Sequence, residues 1–504
     1  MGKKHFMTIA AALFLGAGLL SAQRPGEQVK RDEVPMPTVH QDTLMKHVME
    51  LSSETYRGRL AGTEGYNRAV RYVKSVLQRY GLEQIEEMPF AVECNEVENA
   101  KFNVYRLGDK ERSVYSLGNE FCCAGVTGRG YVDAQMVFCG YGVDDKNFDE
   151  YKYVDVKGKV AIVLTGLPEG HGLPEAVASH YITLRDKART AEKHGAIGML
   201  AVNVSPSCPS YEVQAKTWCG ELPHLGTFPI LQLTLDCARE IMADQAIPLD
   251  SAMMRIERYG TVQSYSLLKK AEIDVNARYN PMARTTNVMG LLRGSDKHLS
   301  REYVVIGASL DGSGMQGETC LCPGADINAS GVAAVLETAR LLSKADYRPR
   351  RSVLFVIFSG SEQQYAGSRA FVERYPQLDR AEAFVNVQNI GYGDSVDVLG
   401  GFKYPTLESL VLDRDTVAGR MNVVRGGEPK GLRGDARALD AAKVPSVVIT
   451  TTRGMHHNHT TTDVWENIDR RIITICSQLV TETVAELGEG LYQGRNRNWM
   501  RRDK

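Results

Sequence analysis

The chain has 504 residues, of which 43% are hydrophobic and 24% charged, and a formal net charge of −1. These are globular values that exclude a largely disordered protein, and the length calls for two or more domains. The near-neutral balance excludes a global attraction to nucleic acid or anionic lipid.

In chain order, residues 1–22 carry Lys3 and Lys4, an apolar run, and then Ser21 and Ala22. That is the layout of a secretory signal peptide, cleaved near Ala22. The run is too short for a comfortable membrane span, and no later stretch is long and apolar enough for one. The expectation is therefore an exported protein, periplasmic or extracellular, with no integral membrane segment after cleavage. Export permits disulfides, but ten cysteines are too few to form the framework of a chain this long. Cys122-Cys123 and Cys320-x-Cys322 are the only close sets, and no Cys-x-x-Cys pair suggests structural zinc.

Residues 41–83 read as helices, "LMKHVMELSSE" and "YNRAVRYVKSVLQRYGL", around the Gly-rich turn "RGRLAGTEG". From about 120 to 260 the pattern changes: "GKVAIVLTG" and "FPILQLT" are strands, and "LRDKARTAEKHGAIGMLAVNV" is a helix, a turn and a strand. This stretch is expected to hold its own core. Beyond it, strands "EYVVIGASLD", "RSVLFVIFSG", "AFVNVQNIG" and "VPSVVITTT" alternate with amphipathic helices, among them "ASGVAAVLETARLLSKA", and "IDRRIITICSQLVTETVAEL" closes the domain. Such alternation predicts an α/β fold, a mostly parallel sheet sandwiched by helices. Sites in such sheets form at the carboxyl ends of the strands. The polar residues there are Ser309 and Asp311, Ser359 to Glu362, Gln388 and Asn389, and the cluster His456, His457 and His459. The tail at 488–504 is basic and reads as a solvated terminus. No Gly-x-Ser-x-Gly elbow and no phosphate-binding loop is present.

These strand-end segments resemble the co-catalytic dizinc exopeptidases, the family of bacterial leucyl aminopeptidases, glutamate carboxypeptidase and the transferrin receptor. "VVIGASLD", "PGADINASG", "FSGSEQQYAGS", "VNVQNIG" and "HTTTD" match the family's five active-site segments in order, and "RGRLAGTEG" its N-terminal segment. The resemblance implies a zinc-aminopeptidase-like α/β domain at 38–115 and 265–487. Between them, 116–264 resembles a protease-associated insert, a smaller β-rich α+β domain.

Family chemistry uses two zinc ions sharing a bridging carboxylate, each with one His and one further carboxylate, and a separate Glu that takes the proton from the activated water. Carried over residue by residue, the first His place holds Ser309, while Asp311, which would orient it, remains. The bridging place holds Ile327, with Asp326 in the non-ligand place before it. The base place holds Ser361, and the next ligand place keeps Glu362. The ligand Asp place holds Gln388. His459, followed by Asp463, stands at the last His place. Glu362 and His459 are thus a remnant metal set, with Asp326, His456 and His457 as compensating candidates; His456 and His457 read as loop residues. Cys320 and Cys322 read as an oxidised pair or buried thiols.

The resemblance with these replacements implies a pseudopeptidase binding a peptide or protein partner, with no metal or a weak single zinc. The alternative is an active zinc-dependent aminopeptidase holding two zinc ions in a rewired site that uses His456 or His457, Asp326 and Asp311. A third reading makes Ser361 or Ser309 a nucleophile, for which the sequence nominates no base.

Overall fold

The computed structural model describes residues 37–494 apart from 147, 169–180, 182, 205–222, 345–346, 413–421, 427–431 and 453–456. Residues 1–22, where a signal peptide is expected, His456 and the end of the basic tail lie outside the described residues. Two helices open the chain, α1 (Gln41–Leu51) and α2 (Glu64–Arg79), the second capped by Thr63, whose hydroxyl accepts from the Tyr66 N–H at 3.4 Å. Strand β1 (Glu83–Arg106) follows. The middle segment then contributes β2 (Phe121–Cys123), β3 (Gly130–Cys139), β4 (Val160–Leu164), α3 (Leu184–Lys193), β5 (Gly198–Val202), β6 (Ile230–Leu233), α4 (Leu235–Met242) and α5 (Leu249–Tyr259). After the long β7 (Ser264–Leu292) come β8 (Tyr303–Ser309), α6 (Gly331–Leu342), β9 (Ser352–Phe358), α7 (Ala366–Arg374) and β10 (Ala381–Val387). The chain ends with β11 (Ser395–Leu399), α8 (Pro405–Leu412), β12 (Asn422–Gly426), α9 (Ala436–Ala441), β13 (Ser446–Thr452) and α10 (Arg470–Gly488).

One sheet runs through the molecule in the order β12-β11-β13-β10-β8-β9-β7-β3-β4-β5-β6-β2. Strands β9, β8, β10 and β13 are mutually parallel, so all four carboxyl ends open on the same side. Each of β8, β9 and β10 is buried along its whole length, as continuous runs such as "SVLFVIF" require when helices cover both faces. On one face α1, α2, α6 and α10 share a core; on the other Phe371 of α7 and Leu439 of α9 pack on Phe358, Phe384 and Val305. Phe358 meets Phe371 and Phe384 edge-on, at centroid separations of 5.8 and 6.0 Å.

Helix α6 departs from its expected one-sided pattern. Its buried residues include Glu337 and Thr338 as well as Val332, Val335 and Leu336, because it lies between the sheet and both α1 and α10. In that setting Glu337 pairs with Arg340 at 2.6 Å and accepts from the His40 backbone N–H at 2.9 Å.

The ribbon of β1 and β7 links the two halves of the sheet. The start of β7 pairs antiparallel with β3, and its end, Val288–Leu292, with β9. Separate apolar clusters line the two faces of the middle segment's strands, one centred on Phe138, Ile162 and Leu200, the other on Val137, Ala161 and Met199. Among the described residues no helix is long and apolar enough to cross a membrane.

Candidate functional site

The strand tips carry the site. Ser309 ends β8, Ser361 and Glu362 follow β9, Gln388 follows β10, and His457 and His459 lie on the loop after β13. Beneath them Arg59 is fully buried and donates to four backbone carbonyls: Leu310 at 2.8 Å, Leu51 at 2.5 Å, Pro323 at 2.7 Å and Gly324 at 2.8 Å. Burial draws its guanidinium down to about 10, against the charges of Asp463 and Asp311. The preceding Gly58 has φ +66°, and a Cβ there would lie 2.3 Å from the Gly314 carbonyl oxygen, so only glycine lets this turn lie against the site loop. The Arg59 and Gly58 carbonyls accept from the Gly312 and Gly314 N–H groups at 3.1 and 3.0 Å.

Ser309 does not meet Asp311, the residue expected to orient this position. Its hydroxyl donates to Asp435 at 2.7 Å, because the short side chain is satisfied by the acid just ahead of α9. Burial pushes Asp435 up to about 7, against hydrogen bonds from Ser309 and Ser368. Asp311 instead receives the Ser361 N–H at 2.8 Å and the Ser361 hydroxyl at 3.0 Å on one oxygen. Its other oxygen is buried without a hydrogen-bond partner. Burial, then the charge of Glu362, raises Asp311 to about 7.

Glu362 and His459 are brought together, with Oε1 and Nδ1 3.1 Å apart and both side chains largely buried. The Ser313 hydroxyl lies 2.8 Å from the same ring nitrogen. Gln388 is folded back: its amide donates to Asn386 at 2.7 Å and lies against Gly434, where a Cβ would stand 1.7 Å from its nitrogen.

Asp326 and Ile327 are held by Asp463. Both of their backbone N–H groups donate to Asp463, at 2.7 and 3.1 Å, and Asp326 Oδ1 accepts from the Gly391 N–H at 2.8 Å and the Ser330 hydroxyl at 3.2 Å. Burial and the facing Asp463 raise Asp326 to about 8, and burial raises Asp463 to about 6. His457 is engaged with the Thr462 hydroxyl at 2.8 Å and edge-on with Tyr392. Among the described residues no three His, Cys, Asp or Glu side chains are grouped so as to hold a metal ion. Asp435, Ser313 and Arg59 are the participants that sequence reasoning missed. The "RGRLAGTEG" segment was visible, but nothing in it marks Arg59 as a buried donor.

The comparisons with known proteins bear on family and fold. The profile "Peptidase family M28" matches residues 287–484. That segment belongs to peptidase family M28. Fold similarity extends past the M28 segment: a zinc aminopeptidase from Bacillus subtilis superposes with TM-score 0.64 at 17% identity, over 90% of this chain and 96% of that one. A peptidase M28 precursor from Shewanella amazonensis gives TM-score 0.63 at 17% identity, over 91% and 99%. The expected fold is thereby established. Among curated proteins, a glutamate carboxypeptidase 2 homolog from Caenorhabditis briggsae is 22% identical over 81% of this chain and 60% of its own length. Human transferrin receptor protein 2 is 33% identical over 25% of this chain and 15% of its own. The chain thus spans less than two thirds of the length of these curated relatives. The M28 family is zinc-dependent.

Proposed function

We propose that this chain is an exported M28-type pseudopeptidase that binds a peptide or protein partner, with residues 116–264 serving as a protease-associated insert. The observation that carries this reading is the mutual pairing of Glu362 and His459 while Ser361 occupies Asp311. Structural and catalytic zinc sites use three or four protein ligands, and here an Ile, a Gln and a Ser stand at ligand places. Loss of general-base assistance alone lowers a rate by roughly 10²–10⁴. Ser361 stands at the base place, and its N–H and hydroxyl both donate to Asp311 Oδ2, which ties that carboxylate oxygen up within the protein.

The engagements of Asp326 with Gly391 and Ser330, and of His457 with Thr462, count against the rewired active enzyme. They leave a weak single zinc as the most the remnant would hold. The test compares the parent with Glu362→Ala, His459→Ala in release of N-terminal residues from peptides, with and without added zinc. The two are expected to be indistinguishable. A zinc-dependent activity lost in the double variant overturns the proposal.

A further inference from the structure

One loop of the strand-tip site reaches across to the middle segment. After β8 the chain forms a hairpin, Met315–Gln316 paired with Cys320–Leu321. The Gln316 side chain is buried there, accepting from the Cys123 N–H at 2.8 Å and donating to the Cys123 carbonyl at 2.7 Å. Cys123 belongs to β2, the last strand of the sheet, which pairs antiparallel with β6. The Ala124 and Thr234 N–H groups bond to the Ile230 and Glu120 carbonyls at 2.9 and 3.0 Å. In that register Cys123 turns its own N–H and carbonyl to the open edge, where the Gln316 amide takes the place of a further strand.

Neighbouring contacts hold the hairpin in the same place. The Gly317 N–H donates to the Val97 carbonyl of β1 at 2.9 Å, and the Thr319 hydroxyl to the Leu117 carbonyl at 3.1 Å. Gly118 approaches so closely that a Cβ there would lie 3.2 Å from the Cys320 Cα. Cys122, Cys320 and Cys322 are free thiols that pack together beneath it.

The base of this hairpin carries the site. The Ser313 hydroxyl lies 2.8 Å from His459 Nδ1, and Glu362 Oε1 lies 3.1 Å from the same nitrogen. On the returning arm the Cys322 thiol donates to the His459 carbonyl at 3.5 Å. Only Gly314 and Met315 separate Ser313 from Gln316. The Gly314 N–H donates to the Gly58 carbonyl and its carbonyl accepts from the Cys322 N–H, both at 3.0 Å. So short and so bonded a connection passes a displacement at Gln316 on to Ser313.

We propose that Gln316 is a positioning residue: through it the edge strand of the middle segment supports the Ser313, His459 and Glu362 group, and the site takes its shape only with that segment docked. The proposal goes beyond the pseudopeptidase reading and does not depend on it, because it concerns where the His459 ring is held, whatever the site binds.

The test follows the His459 ring signal by NMR in the full chain, made with isotope-labelled histidine and assigned with His459→Gln. Gln316→Met keeps the length of the side chain and removes both hydrogen bonds. Val137→Ala loosens the middle segment in its other core, across the sheet from β2, and reports any general effect of lost stability. The expected result is a His459 signal that shifts or splits in Gln316→Met and stays at the parent position in Val137→Ala. Should Gln316→Met not be recovered folded, Gln316→Asn, one methylene too short to reach both Cys123 groups, is read in the same way. A His459 signal unchanged in the Gln316 variant, or moved as far by Val137→Ala, overturns the proposal. Either outcome leaves the zinc-dependent peptide assay above as the separate test of the pseudopeptidase reading.

Discussion

Glu362 and His459, the pair proposed above as a remnant metal set, each find a partner in the other, and the Ser313 hydroxyl lies 2.8 Å from the same ring nitrogen. Around them Ser309 donates to Asp435 and Gln388 to Asn386, so both polar side chains are satisfied by protein. On the account proposed above, the missing donors are what prevents zinc binding, because the backbone already places the strand tips as in M28 relatives. Restoring them together, as Ser309→His, Ile327→Asp, Ser361→Glu and Gln388→Asp, is therefore expected to raise the zinc content to about two ions per chain, the number a co-catalytic pair requires. Elemental analysis against the parent checks this; a quadruple variant that folds and still takes up no zinc would place the defect in the backbone instead. Ser309, Ile327, Ser361 and Gln388 could be singled out from the sequence because each lies in a short motif of fixed spacing. Asp435 was not, since it comes from a loop ahead of α9 with no spacing relation to Ser309, and its contact depends on the fold alone.

Among the elements, the turn between α1 and α2 matters most to the site. Arg59 joins the carbonyls of Leu51, Leu310, Pro323 and Gly324, so one side chain ties the end of α1 to both loops that carry Asp311 and Asp326. Arg59→Met would take the guanidinium donor from all four carbonyls, leaving Gly324 only the Ala329 N–H, and remove a buried cation that acts on Asp463. A loss of about 3–5 kcal/mol is expected, by analogy with breaking a buried charge pair, measured as the urea unfolding free energy. A change under about 1 kcal/mol would mean that water takes over the carbonyls. The strands β8, β9 and β10 could be read from sequence because burial on both faces leaves an unbroken apolar run. The β1–β7 ribbon could not: charged residues such as Glu86, Glu87, Lys269 and Lys270 interrupt its pattern, and its length is set by pairing across two cores. Helix α6 was placed correctly but read as one-sided, because Glu337 looks solvent-facing until Arg340 and His40 are seen around it.

For the molecule as a whole, the buried acids govern how stability depends on pH. Burial raises Asp311 and Asp435 to about 7, Asp326 to about 8 and Glu150 to about 7, all above the ordinary carboxylate range near 4. The folded chain therefore holds more protons than the unfolded chain across this window, and stability is lost as pH rises through it. His47 and His224, lowered by burial to about 4, act in the opposite sense below their unfolded values, and Lys187, lowered to about 7, does so above 7. The acids outnumber them between about pH 5 and 7, where the urea unfolding free energy is expected to fall. Asp435→Asn should flatten that fall by about one proton, ~1.4 kcal/mol per pH unit. A rise over the same range would show these acids ionised in the folded chain. The most direct measurement is the zinc content of the full chain, purified from the cell envelope without chelators and analysed together with its aminopeptidase activity. The account predicts zinc well below one ion per chain and no metal-dependent release of N-terminal residues. About two ions per chain with such release would contradict it.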